Sequence, residues 1–119
     1  MDSILKSVKL DLGIKDDYTH FDQEIINDIN SVFPAIRQLG VNAPAGFSIA
    51  DDTTEWTDYI PAGDVLNMVK RYVSMKVRLM FDNSTLSGTV KEVLERQIQE
   101  FEARINYEVD PAEEVEDNG

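Results

Sequence analysis

The segment Asp64-Val65-Leu66-Asn67-Met68-Val69-Lys70-Arg71-Tyr72-Val73-Ser74-Met75-Lys76-Val77-Arg78-Leu79-Met80-Phe81 runs for five turns of helix without an internal glycine or proline. Its apolar residues Val65, Met68, Val69, Tyr72, Val73, Met75, Val77, Leu79 and Met80 occupy an arc of roughly 200° at 100° per residue. A helix is therefore expected from Pro61 or Asp64 to about Phe81. A surface helix needs only about half of that arc. The width predicts burial on two sides, by the chain's own core and by something else. Lys76 lies inside the arc and has to snorkel or pair with an acid. Met68, Met75 and Met80 with Tyr72 read as packing surface, since methionine fills irregular gaps. Lys70, Arg71 and Arg78 fall within about a quarter-turn of one another and form a basic stripe.

Downstream, Asp82-Asn83-Ser84-Thr85 breaks this helix and offers caps for another over about 86–107. There Val90, Leu94, Ile98, Phe101 and Ile105 make a seam only about 80° wide. Glu92–Arg96, Arg96–Glu100 and Glu100–Arg104 are spaced for i,i+4 pairing on its outer face. Upstream, residues 41–60 show no sustained period, and loops of that length inside a compact domain are uncommon. Phe47, Ile49, Trp56, Tyr59 and Ile60 nevertheless require the segment to pack, and weak alternation around Phe47 to Ile49 is the one hint of strand. Before it, Phe21, Ile25, Ile29, Val32, Ile36 and Leu39 recur every three or four residues after Thr19, with Asp22 and Glu24 suited to the helix dipole. Pro34 removes the hydrogen bond to residue 30, so a kink or break is expected near Phe33, and Gly40 supplies a left-handed cap. Ile4, Leu5, Val8 and Leu12 mark a short first helix that stops at Gly13.

The sequence thus describes an all-α protein, a small bundle of about four helices with a long, partly structured loop between the second and third. Ile25, Ile29, Leu79, Phe81, Leu94, Ile98 and Phe101 are the expected core. At 119 residues the chain is about one domain and can bury roughly two thirds of its unfolded surface.

The formal net charge is −12, from 23 acidic and 11 basic residues. Six of the acids, and no base, lie from Glu108 onward, so half of the excess sits in the last twelve residues. The expected organisation is one helical domain over 1–107 and an acidic tail over 108–119. Composition favours a solvated terminus; a peptide arm that orders against a basic patch on a partner is the sharper alternative. So acidic a chain opposes a tight, non-specific grip on phosphate backbones, which needs lysines and arginines to displace counterions.

No cysteine is present, which removes disulfides, thiolate metal sites and cysteine nucleophiles. His20, the only histidine, has no convergent ligand set and reads as a polar surface residue. No glycine-rich phosphate loop occurs, and Asp51, Asp52, Glu55 and Asp58 lack the spacing of a calcium loop. No catalytic residue, cofactor or metal is expected, and an enzyme is disfavoured. No run approaches 18 apolar residues and no signal-like leader opens the chain, so no membrane partner is expected and synthesis is expected in the cytoplasm.

The run from Asp64 to Asp82 resembles the characteristic stretch of head-tail connector, or head-completion, proteins of long-tailed phages. In that family a helix of the form Tyr-Val-x-x-Lys-Val-Arg-Leu-x-Phe-Asp precedes a short loop and a final helix with a Glu-x-x-x-Arg ending. Here these are Tyr72 to Asp82 and Glu100-Phe101-Glu102-Ala103-Arg104-Ile105. Gln38-Leu39-Gly40-Val41, Gly46-Phe47-Ser48-Ile49 and Thr53-Thr54-Glu55-Trp56 are similar to the family's middle region. Related sequences usually carry one or two prolines after Phe-Asp, where this chain has Asn83-Ser84.

The resemblance implies a virion protein at the head–tail junction, with no enzymatic activity. Its copies would form a dodecameric ring beneath the portal protein, continue the DNA channel without specific DNA binding, and dock the next connector or tail-completion protein. A closed ring needs two different complementary patches per subunit. Lys70, Arg71, Tyr72, Lys76, Arg78, Phe47 and Trp56 are the candidate interface residues. The competing reading from another class is an acidic DNA mimic that inhibits a DNA-binding protein by electrostatic complementarity. A basic third helix and charge concentrated in a tail weigh against it.

Overall fold

The computed structural model describes residues 2–109, and the acidic segment over 110–119 lies outside them. Four long helices and one single-turn helix follow in order: α1 (Ile4–Asp11), α2 (Asp22–Gln38), α3 (Trp56–Tyr59), α4 (Asp64–Phe81) and α5 (Gly88–Val109). No β-strand is present among the described residues; one isolated antiparallel bridge joins Ser3 to Glu55.

Each boundary has a local cause. The Ser3 side chain caps α1 by accepting from the Lys6 N–H at 3.2 Å, and the chain leaves α1 through Gly13 at φ +79°, a conformation that glycine adopts without steric cost. Gly40, at φ +102°, ends α2 in the same way. The Ser87 hydroxyl, and not the upstream Asp82–Thr85 turn, accepts from the Val90 N–H at the start of α5. Helix α2 runs unbroken through Pro34. The buried residues Val32, Phe33 and Ile36 on either side of the proline hold both halves against the same core, so packing outweighs the single lost hydrogen bond.

Helix α4 is central and touches α1, α2 and α5. Its wide apolar arc is covered in large part by the chain's own helices, with Met80 left 40% exposed. Leu66, Val69, Val73 and Val77 are buried, as are Tyr72 and Met75, and the other helices of the same chain surround them. Of the expected core residues, Ile25, Ile29, Leu94 and Ile98 are buried, whereas Leu79, Phe81 and Phe101 are only half-buried against the cluster. These three stand at its margin, where α4 and α5 begin to face solvent.

The 41–60 segment packs as required, through Val41, Ile49, Trp56, Tyr59 and Ile60. No strand forms at Phe47 to Ile49 because the partner is a side chain: Asn30 on α2 accepts from the Ile49 N–H at 2.8 Å and donates to its carbonyl at 3.0 Å. The segment then pairs with the N-terminus. Ile4 N–H donates to Thr54 O, and Trp56 N–H donates to Asp2 O, both at 3.0 Å. Helix α3 follows with a capping box, in which the Asp58 carboxylate accepts from the Glu55 N–H at 2.8 Å.

Candidate interaction surface

Viewed down α4, its neighbours divide the helix circumference. The side that carries Val69, Val73 and Met80 faces α2, whose Ser31 hydroxyl donates to Met80 Sδ at 3.7 Å. Met75 and Tyr72 face α5, where the Tyr72 hydroxyl donates to Glu102 Oε2 at 2.8 Å. On the third side Ser74 donates to Asp11 Oδ2 of α1 at 2.5 Å, and Lys70 forms an ion pair with Asp2. Between α1 and α5 a shallow groove of about 200 Å³ remains over α4, lined by Asp11, Arg71, Ser74, Met75, Arg78, Leu94 and Gln97. Arg71 and Arg78 are both exposed, and among the described residues neither makes an ion pair.

The basic stripe is therefore divided. Lys70 is turned toward the N-terminus, whereas Arg71 and Arg78, two helical turns apart, share the groove. Lys76 lies outside it with its ammonium 5.8 Å from the centre of the Tyr72 ring, so the cation on the apolar arc snorkels along an aromatic face instead of pairing with an acid.

Two candidate interface residues need correction. Trp56 is fully buried, with its indole N–H donating to Ser7 Oγ at 2.7 Å, and Tyr72 is fully buried beside α5. Large rings with one polar handle bury well when that handle finds a partner inside. Phe47 is half-buried, in an aromatic cluster with Phe33 at 5.1 Å and Tyr59 at 4.7 Å between ring centres. Burial pushes both phenols up. Tyr59 rises to about 12, and Tyr72 is raised further, with the Glu102 carboxylate adding to the desolvation.

The three i,i+4 pairs expected on α5 do not close within 4.0 Å among the described residues. Exposed long side chains gain little from doing so, and Arg104 instead lies over the Phe101 ring at 5.5 Å. The acidic loop is occupied with local turns: Asp51 accepts from the Thr53 N–H at 2.9 Å and from its hydroxyl at 2.6 Å, which holds the Asp51 carboxyl below its ordinary range. No group of three potential metal ligands converges among the described residues. Exposed His20 packs edge-on against Phe21 at 4.7 Å. No described helix is long and apolar enough to cross a membrane.

Lys9 was not distinguished in the sequence, yet it is 2% exposed. Its ammonium donates to Tyr18 O at 2.8 Å and Asp16 O at 3.0 Å and pairs with Asp22 at 2.8 Å. All three donors are used to tie the 12–21 connection to α1. The available signal was its position one residue after Val8 and four after Leu5, on the border of the apolar face.

The surface has further apolar outliers in Leu10 at 75% exposure, Tyr107 at 67% and Val93 at 41%. A larger open pocket of about 560 Å³ lies where α2 and α5 end and α4 begins, with Val41, Ile60, Asp64, Val65, Glu108 and Val109 in its wall. Helix α5 thus continues two residues past the expected boundary at Tyr107, because Val109 still finds an apolar wall. The chemistry on display is that of contact: a basic groove, an acidic surround and scattered apolar residues. The family model described as phage connector protein matches residues 4–112 of the chain. No curated protein and no solved structure gives a significant match.

Proposed function

The chain belongs to the phage connector protein family, and from that membership we propose that its copies close into a ring beneath the portal, extend the DNA channel and dock the next connector or tail component. The family match across nearly the whole folded chain carries this reading. The geometry supports it in two respects. A ring needs two unlike patches on each subunit, and this surface offers exposed Arg71 and Arg78 on α4 against a protein that is otherwise acidic. Lys70 flanks that patch through its ion pair with Asp2. Lys76 lies over the Tyr72 ring and Phe47 against Phe33 and Tyr59, both away from it, while Trp56 and Tyr72 are buried and hold α3, α4 and α5 in place. A net charge of −12 also suits a channel through which DNA slides without being held.

Native mass spectrometry and electron microscopy of the protein co-expressed with its portal test the proposal. A closed ring of this chain seated on the portal is the expected result. Arg71→Glu with Arg78→Glu should leave the helical circular-dichroism spectrum intact and abolish the ring. A chain that stays monomeric with portal present, and instead binds a nuclease tightly, would overturn the connector ring in favour of DNA mimicry.

A further inference from the structure

We propose that in the free chain the groove between α1 and α5 is a binding site for an acidic segment, and that its occupant is the chain's own C-terminal stretch, residues 110–119. Three observations carry this. Arg71 and Arg78 are exposed guanidinium groups without an ion-pair partner among the described residues, in a protein with twice as many acids as bases. Seven residues of α-helix place them about 10 Å apart on one face. The C-terminal stretch carries Glu113 with Glu116 and Glu114 with Asp117, each three residues apart. A polyproline-II backbone has three residues per turn and rises about 3.1 Å per residue, so such carboxylates share a face at a spacing of about 9 Å. The flexible arginine arms absorb the difference, and guanidinium is the group best shaped to take a carboxylate in two hydrogen bonds.

Reach agrees with spacing. Val109 lines the same pocket as Asp64, and Asp64, Arg71 and Arg78 fall at intervals of seven on one face of α4. Arg71 thus stands about 10 Å along α4 from the point where α5 ends. Four residues of such a backbone would span about 12 Å, the length needed for Glu113 to reach Arg71 and Glu116 to reach Arg78 along α4. The single acid in the groove wall, Asp11, is already engaged by the Ser74 hydroxyl.

The choice of the same chain over a neighbour rests on concentration. Exposed ion pairs are each worth about 1 kcal/mol or less, too little to hold two separate molecules at ordinary dilution. A short tether supplies an effective concentration in the millimolar range, far above that at which separate molecules meet at ordinary dilution. Assembly would then release Arg71 and Arg78 by displacing this segment.

The chain has no cysteine, so Asn118→Cys carries a single nitroxide label. In the full-length 15N-labelled protein, amides from Arg71 to Arg78 and from Leu94 to Gln97 should lose most of their intensity, more strongly than those of α2 on the far side of α4. Reduction of the nitroxide should restore them, as should about 1 M salt, where screening acts over about 3 Å. Arg71→Glu with Arg78→Glu should abolish the effect. The charge-neutral tail variant Glu113→Gln, Glu114→Gln, Glu116→Gln and Asp117→Asn should do the same without touching the folded helices. Mixing spin-labelled unenriched protein with unlabelled 15N protein should give no broadening. Broadening confined to that mixed sample, broadening that survives either charge variant, or none at all would overturn the proposal.

Discussion

Replacement of Lys9 by methionine probes the least expected contact in the fold. Methionine keeps most of the buried stem and deletes only the ammonium, so the cavity contribution is small and the polar one is isolated. Three acceptors lose their donor at once: the carbonyls of Asp16 and Tyr18 and the carboxylate of Asp22. A buried acceptor left unsatisfied costs about 1–3 kcal/mol. The carbonyls belong to a surface connection that water can re-enter, and the Asp22 side chain is 26% exposed, so each falls toward the low end. The expected loss is about 2–4 kcal/mol, a large fraction of the stability of a domain of this size. With a urea slope of about 1–3 kcal/mol per M, the midpoint should fall by about 1–2 M at unchanged slope. Asp22→Asn, which removes the charge and keeps an acceptor, should cost less. Lys9→Met should be better tolerated in the Asp22→Asn background, because no buried carboxylate is then stranded. A loss below about 1 kcal/mol for Lys9→Met, with the slope unchanged, would refute the claim that this ammonium fixes the α1–α2 connection.

The two buried tyrosines should behave oppositely. Tyr59→Phe removes a buried hydroxyl without a partner among the described residues and should be neutral or stabilising by up to about 1 kcal/mol, whereas Tyr72→Phe loses the Glu102 hydrogen bond and should cost about 1–2 kcal/mol in urea denaturation. Because folding raises both phenols above the ordinary value of 10.0, Tyr59 to about 12 and Tyr72 further, their contribution is fully present below about pH 10 and is lost as pH rises through the folded values. Denaturation midpoints should fall with alkaline pH, less steeply in the double phenylalanine variant. Phe101→Ala should cost about 1–3 kcal/mol, less than a fully buried ring, since Phe101 stands at the core margin; a loss of 4 kcal/mol or more, by the same scale of about 3–5 kcal/mol for buried rings, would place it inside. Truncation after Tyr107 should lower stability by about 1 kcal/mol through loss of the half-buried Val109 side chain, and an unchanged thermal midpoint would show that its contact beside Gly40 contributes nothing.

The helical class and the order of the long helices were legible because they depend on local periodicity and on breakers that act where they stand. Gly13 and Gly40 end helices in the structure as they do in the sequence, and α4 begins at Asp64 and ends at Phe81. The family resemblance in the Tyr72 to Asp82 stretch was legible for the same reason, as a pattern of contiguous residues. What neighbours would do was not. The use of Asn30 as a strand substitute for Ile49 and the burial of Trp56 against Ser7 join residues 19 and 49 positions apart, and the turn of α3 starts where Thr54 and Trp56 pair with Ile4 and Asp2.

The arc of α4 shows where the division falls. Its width, about 200° of apolar surface, was written in the sequence by the 3.6-residue period. Whether another chain or this one covers that surface depends on how α1, α2 and α5 pack around it, which no helical wheel contains. The same holds for charge. The sequence sets the acidic balance and places Lys70, Arg71, Lys76 and Arg78 on one helix, with Lys76 four residues after the Tyr72 ring it lies over, but tertiary packing turns Lys70 to Asp2. Only Arg71 and Arg78 are left facing the groove, because burial and pairing are properties of the space around a side chain and not of its position in the chain.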